Sequence, residues 1–159
     1  IHEELDEKDQ SLLQTSLFLG IEMDPLKDNP QQGDFLIRNI MAADKESGGI
    51  QVGAMLREGQ LVQFHLRDKD MSAEDLRLVL NRYKTKEHSE KASGALLFSC
   101  LGRGQYLYEK LNHDSDMFRD QLGDIPLGGF FCNGEIGPVG KTTFLHGYTS
   151  SFGIFHPIH

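Results

Sequence analysis

Residues 95–101 read ALLFSCL, and Gly102-Arg103-Gly104 follows at once. A continuous apolar run of this length, without alternation and closed by glycine, is what a strand buried on both faces requires. Such a strand implies a sheet with neighbours on its edges and helices over a face. The flanking segments supply those helices. Residues 72–83, SAEDLRLVLNRY, place Leu76, Val79, Leu80 and Tyr83 at i, i+3, i+4 and i+7, which predicts an amphipathic helix. Ser72 is the expected N-cap, with Glu74 and Asp75 suiting the positive helix end. Residues 85–93, TKEHSEKAS, read as a solvated connection. On the other side, residues 115–122 predict a shorter helix with Asp114 as N-cap, Met117, Phe118 and Leu122 inward, and Gly123 as its stop.

Further out, the pattern turns to strands. Residues 3–15 carry Leu5, Leu12 and Leu13 at near-helical spacing, and LFLGI at 17–21 reads as a buried strand. Two prolines and a glycine between 24 and 34 enforce a loop. Residues 35–42, FLIRNIMA, put Phe35, Ile37 and Met41 on one face and Leu36, Arg38 and Ile40 on the other. A polar turn at 44–49 leads into 50–55 as a hairpin, and residues 61–67 alternate cleanly, with Val62, Phe64 and Leu66 opposite Gln63, His65 and Arg67. Strands over 127–132 and 143–155 finish the chain. The order αββββαβαββ gives an α+β fold with a mixed, largely antiparallel sheet and two or three packed helices, read as a single domain over 1–159.

The chain has 159 residues, a formal charge of -8 and a pI near 5.3. That balance argues against a nucleic-acid groove and against a polybasic membrane surface, because each needs concentrated positive charge. No apolar run approaches the roughly 20 residues that span a bilayer, and the N-terminus lacks the pattern of a signal peptide, so a cytoplasmic protein is expected. Cys100 and Cys132 make no disulfide framework, and no CxxC or HExxH spacing points to a metal; no cofactor is expected. The chain opens at Ile1 rather than Met, which suggests a piece of a longer protein.

The candidate chemistry gathers in GGFFCNGEIGPVG, residues 128–140. Cys132, Asn133 and Glu135 offer a thiol, an amide and a carboxylate among glycines. Cys132 with His146 as base would make a thiol nucleophile; as a strand-end residue it reads as a small hydrophobe, the common role of a free Cys, and no nucleophile signature surrounds it. Glu135 suits the amino group of a ligand, or points to water. Arg38 and His65 on neighbouring strands suit a ligand carboxylate, and Arg103 between its glycines has the form of an anion-binding loop, against the plain reading of ion pairs and a tight turn. His146 and Tyr148 share a strand face with Phe144, as ligand contacts or as an aromatic core.

The segments DFLIRNI (34–40), VQFHLRD (62–68), GGFFCNGEIGP (128–138) and TFLHGYTSSFGIF (143–155) together resemble the C-terminal half of FIST proteins, the F-box and intracellular signal transduction family. The resemblance covers most of the chain in the family's order, and FCNGEIGP is its most specific part. It implies a sensory, non-catalytic module that binds a small ligand, for which an amino acid has been proposed. It also implies an upstream FIST N-terminal domain as partner, and a signalling or ubiquitin-ligase partner beyond it. No catalytic set comes with the family. A protein-interaction module and a Cys132/His146 thiol enzyme stand as the alternatives.

Overall fold

The computed structural model describes residues 5–31, 33–85, 92–139 and 142–158. They form two compact units, Ile1–Asp68 and Lys69–His159.

The first unit holds helix α1 (Glu7–Thr15) and strands β1 (Leu17–Glu22), β2 (Phe35–Ala43), β3 (Ile50–Val52) and β4 (Val62–Leu66). Residues 3 and 4 of the expected first helix lie outside the described residues. Asp6 starts α1, its carboxylate accepting from the backbone N–H of Asp9 at 2.8 Å. The strands pair antiparallel in the order β3-β2-β1-β4, so β1 is central. This is why Phe18, Leu19 and Ile21 are buried while the edge strand leaves Val62 and Phe64 partly in water. Opposite residues share a face in such a ladder. Leu19 pairs with Arg38 and Phe64, whereas Phe18 pairs with Asn39 and His65.

The second unit comprises α2 (Lys69–Lys84), β5 (Gly94–Cys100), α3 (Gln105–Tyr108), α4 (His113–Leu122), β6 (Leu127–Cys132), β7 (Glu135–Val139), β8 (Thr142–His146) and β9 (Ser150–Phe155). The apolar run of residues 95–101 becomes the middle strand of β6-β5-β9, parallel to β6 and antiparallel to β9. Helices α2 and α4 cover one face. Leu76 and Leu80 from α2, Phe118 from α4 and Ala95 from β5 form the core, with Leu127, Phe152 and Ile154 packed on it. Phe118 lies parallel to Phe152 with ring centroids 5.4 Å apart. Burying each such side chain contributes roughly 1.5–3 kcal/mol.

The fold is α+β with largely antiparallel pairing, as the pattern implied, but its details differ. The strands divide among a four-stranded sheet, a three-stranded sheet and the β7–β8 hairpin. Helix α2 begins at Lys69, so Ser72 is an interior residue rather than a cap, and Asp70 supplies the acid of the first turn. Helix α4 begins at His113, with Asn112 in the left-handed region as its N-cap in place of Asp114. The long strand expected over 143–155 breaks around Tyr148, whose φ of 61° no strand accommodates. Asn133-Gly134 leads into a further strand, β7, and Gly104 into a short helix, α3, neither of which is among the elements expected from the pattern. Residues 86–91 of the connection after α2 lie outside the described residues.

Candidate functional site

Parallel β5 and β6 end together, at Cys100 and Cys132. Polar groups gather beyond these two carboxyl ends. They form two clusters.

The first is built on Arg103 and Asp114, both almost fully buried. Arg103 Nε donates to Asp114 Oδ2 at 2.8 Å and Nη2 to Oδ1 at 3.0 Å, a bidentate pair. The guanidinium also donates to the Tyr108 hydroxyl and, at 3.4 Å, to the carbonyl of Tyr148. Asp114 accepts further from Ser99 Oγ at 3.1 Å, Ser150 Oγ at 2.6 Å and His113 Nδ1 at 3.0 Å. Burial alone would raise the Asp114 pKa; the Arg103 guanidinium and the surrounding donors overcome it and hold the carboxyl at about 2. The same pairing raises Arg103 against its own burial. Tyr108 and His113 stack at 3.5 Å beside the pair. Arg103 is therefore a structural cation satisfied from within, not the open anion loop that Gly102-Arg103-Gly104 suggested.

The second cluster surrounds Glu135, 2% exposed at the start of β7. Its Oε2 accepts from Thr149 Oγ1 at 2.8 Å, and its Oε1 lies 3.4 Å from Cys132 Sγ. The Ser99 carbonyl oxygen, 3.7 Å from the same sulfur, competes for the thiol proton. Burial and the Glu135 carboxyl both push the Cys132 thiol up, opposite to what a nucleophile needs. His146 stands across the hairpin from Glu135, but its Nε2–H donates to the Gly137 carbonyl at 3.1 Å. Among the described residues the thiol's bonding partners are Glu135 and Ser99, so Cys132 and His146 do not form a pair. Asn133 is exposed in the turn between β6 and β7. Tyr148 lies in the β8–β9 turn rather than on a strand face, while Phe144 and His146 meet edge to face at 6.1 Å.

A cavity of about 230 Å³ adjoins the first cluster. The first turn of α4, from Asn112 to Ser115, forms one wall, and Gly128 through Phe131 of β6 forms another, with Leu97 and Ser99 at the floor. Gly129 is required there: at φ +156° a Cβ would lie 1.9 Å from the Leu97 carbonyl oxygen. None of the eight residues singled out from the sequence lines this space. A hollow of about 290 Å³ between α4 and β6 is the larger one, but its ionisable groups, Arg119 and Asp124, are exposed, where water weakens any charge they offer a ligand.

In the first unit, Arg38 and His65 do not converge. The strand period of two puts them on opposite faces, with Arg38 beside Leu19 and His65 beside Phe18. His65 packs edge-on to Phe35 at 5.2 Å, and burial lowers its pKa. Its Nε2 is buried without a hydrogen-bond partner among the described residues.

Residues 1–138 match the model of the FIST C domain. The chain belongs to the FIST C family. Over 147 residues this FIST C chain is 42% identical to an uncharacterized protein of Mycobacterium tuberculosis, covering 92% of the chain and 38% of the relative. An uncharacterized protein of Mycobacterium bovis is 39% identical over 98% of the chain and 40% of its own length. F-box only protein 22 of Homo sapiens is 32% identical over 108 residues, 57% of the chain and 27% of that protein. The chain thus spans about two-fifths of the bacterial relatives it matches. The FIST C match includes Arg103, Asp114, Cys132 and Glu135, whereas Thr149 and Ser150, which bond to both buried acids, come after it. Among the described residues no helix is long and apolar enough to cross a membrane, and no three His, Cys, Asp or Glu side chains are grouped to hold a metal.

Sequence reasoning missed Asp114, Ser99, Thr149 and Ser150. Apart from His113 next to Asp114, their partners are 11 to 51 positions away, so no local spacing betrays them. The available signal was weak: an acid before a helix reads as a cap unless a buried arginine is known to lie beneath it.

Proposed function

We propose that this FIST C chain is the small-ligand-sensing part of a cytoplasmic signal-transduction protein, acting without catalysis and without a cofactor, on an amino acid or a related small metabolite. The observation that carries this reading is the cavity of about 230 Å³ between the first turn of α4 and the glycine-phenylalanine wall of β6. Its volume is below the roughly 300–1,000 Å³ of sites for drug-sized molecules, which suits a ligand of few heavy atoms. Backbone N–H groups of a helix start favour a carboxylate, and Leu97, Leu127 and Phe131 offer apolar cover for the rest of such a ligand. The buried Arg103–Asp114 pair beside it holds α4 in place, so the site is rigid before binding.

A thermal-shift screen of the protein against the common amino acids and small carboxylic acids tests this. A ligand at 100 times its Kd stabilises by about 2.7 kcal/mol, a displacement of a few degrees. Ser115→Phe, which places a ring on the α4 wall of the cavity, abolishes the shift if the ligand sits there. A shift that survives Ser115→Phe places the ligand elsewhere.

A docking surface for another protein, including an upstream FIST N-terminal domain or a ubiquitin-ligase partner, is the second reading. Phe130 and Phe131 favour it, being 64% and 56% exposed on β6, an edge strand. Silence across the screen, with a Phe130→Ser/Phe131→Ser variant losing a protein partner, would move the assignment there.

A further inference from the structure

The chain's two cysteines, Cys100 and Cys132, are the last residues of β5 and β6 and stand opposite each other in the parallel register. Such neighbours project from the same face of the sheet, on strands about 4.8 Å apart. That spacing lies within the roughly 4.4–6.8 Å between Cα atoms that a disulfide spans. The Cys132 sulfur leans toward β5, 3.7 Å from the carbonyl oxygen of Ser99, the residue before Cys100. Both thiols are free in the structure. Nothing in the sequence couples them; only the parallel pairing of β5 with β6 does.

We propose that Cys100 and Cys132 form a reversible disulfide across β5 and β6 when the protein meets a hydroperoxide. Cys132 is the more exposed of the two and reacts first. Burial and Glu135 hold the thiol up, so the attack runs slowly, through the small thiolate fraction. That thiolate attacks the O–O bond, which breaks to leave a sulfenic acid on Cys132 and to release an alcohol, or water from hydrogen peroxide. The Cys100 sulfur then attacks the sulfenic sulfur. The S–S bond forms, and the hydroxyl leaves with the Cys100 proton as water. Two thiols and one hydroperoxide thus give one disulfide, one alcohol and one water. The sulfurs lose two electrons and the peroxide gains them.

One feature makes this a switch rather than a staple. The bridge removes the thiol proton from Glu135 Oε1, leaving Thr149 as the carboxyl group's donor among the described residues. Oxidation is thereby transmitted to the Asn133-Gly134-Glu135 turn. This inference does not depend on the ligand reading.

Native protein exposed to dilute hydrogen peroxide is analysed by intact mass and by maleimide labelling. The expected result is a monomer lighter by about 2 Da, with neither thiol labelled. Dithiothreitol restores both, and a non-reduced digest joins the Cys100 peptide to the Cys132 peptide. In Cys100→Ser, oxidation stops at a sulfenic acid that dimedone traps on Cys132. A wild-type monomer that retains both thiols, that passes to sulfinic acid without the bridge, or that links two chains instead overturns the proposal, and these readouts need no variant to fold.

Discussion

Arg103 and Asp114 meet in a fork of two hydrogen bonds, 2.8 and 3.0 Å long, with each side chain less than a tenth exposed. One belongs to the loop after β5 and the other to the first turn of α4, so the pair fixes the helix over the carboxyl end of the sheet. A buried pair of this kind owes its effect to being complete: either charge alone would be stranded away from water.

Arg103→Met is therefore expected to destabilise by about 3–5 kcal/mol. Arg103→Met/Asp114→Asn should lose less than the two single changes added together, because the second removes the charge stranded by the first. Urea unfolding of all four proteins measures the coupling.

Acid should act through the same carboxyl group. Its pKa of about 2 lies below the ordinary 3.8, so the stabilisation is fully present above pH 4 and is lost as pH falls from there through 2. The difference corresponds to roughly 2 kcal/mol. Stability measured from pH 5 to pH 2 should fall more steeply for wild type than for Asp114→Asn. Parallel slopes would dissociate the acid sensitivity from Asp114.

Gly20 should tolerate no side chain while His65 is present. A Cβ there would lie 2.4 Å from His65 Nε2 and 2.6 Å from Cδ2. Overpacking of this kind costs about 1–3 kcal/mol. Gly20→Ala/His65→Ala should recover part of the loss in thermal unfolding, since the imidazole is the main obstacle and Phe35 Cβ, at 3.1 Å, a lesser one.

Cys132 should become more reactive when Glu135 loses its charge. Glu135→Gln keeps an acceptor near the sulfur and removes the negative charge that helps to hold the thiol up. Alkylation of Cys132 by iodoacetamide, followed by peptide mass, should be faster at pH 8 and its pH midpoint lower. An unchanged profile would leave burial as the whole cause.

The sheet strands were legible where one residue type dominated. The run at 95–101 is uncharged because β5 is central, and the alternation at 62–66 marks a strand even though β4, at the sheet edge, leaves residues 62–64 exposed whichever face they take. Leu76 and Leu80 announced α2 for the same reason: a helix packed on a sheet must repeat its apolar side every turn. The candidate site was much less legible. Arg103 looked like a ligand contact because the residue that neutralises it is 11 positions later and resembled a helix cap. Arg38 and His65 looked like partners because β2 and β4 are close, but a single intervening strand and a pleat of period two set them back to back. Tyr148 could not be read at all from pattern, since its left-handed backbone serves the turn into β9.

The family match stops at residue 138, yet β9 begins at Ser150. A recombinant fragment trimmed to the matched residues would strip β5 of one neighbour, take Phe152 from under Phe118 and Ser150 from Asp114, and remove Thr149 from Glu135. Loss of function in such a fragment would report a severed sheet rather than a missing activity. Expression boundaries for this chain belong beyond residue 155, where the last hydrogen-bonded partner of the central strand ends.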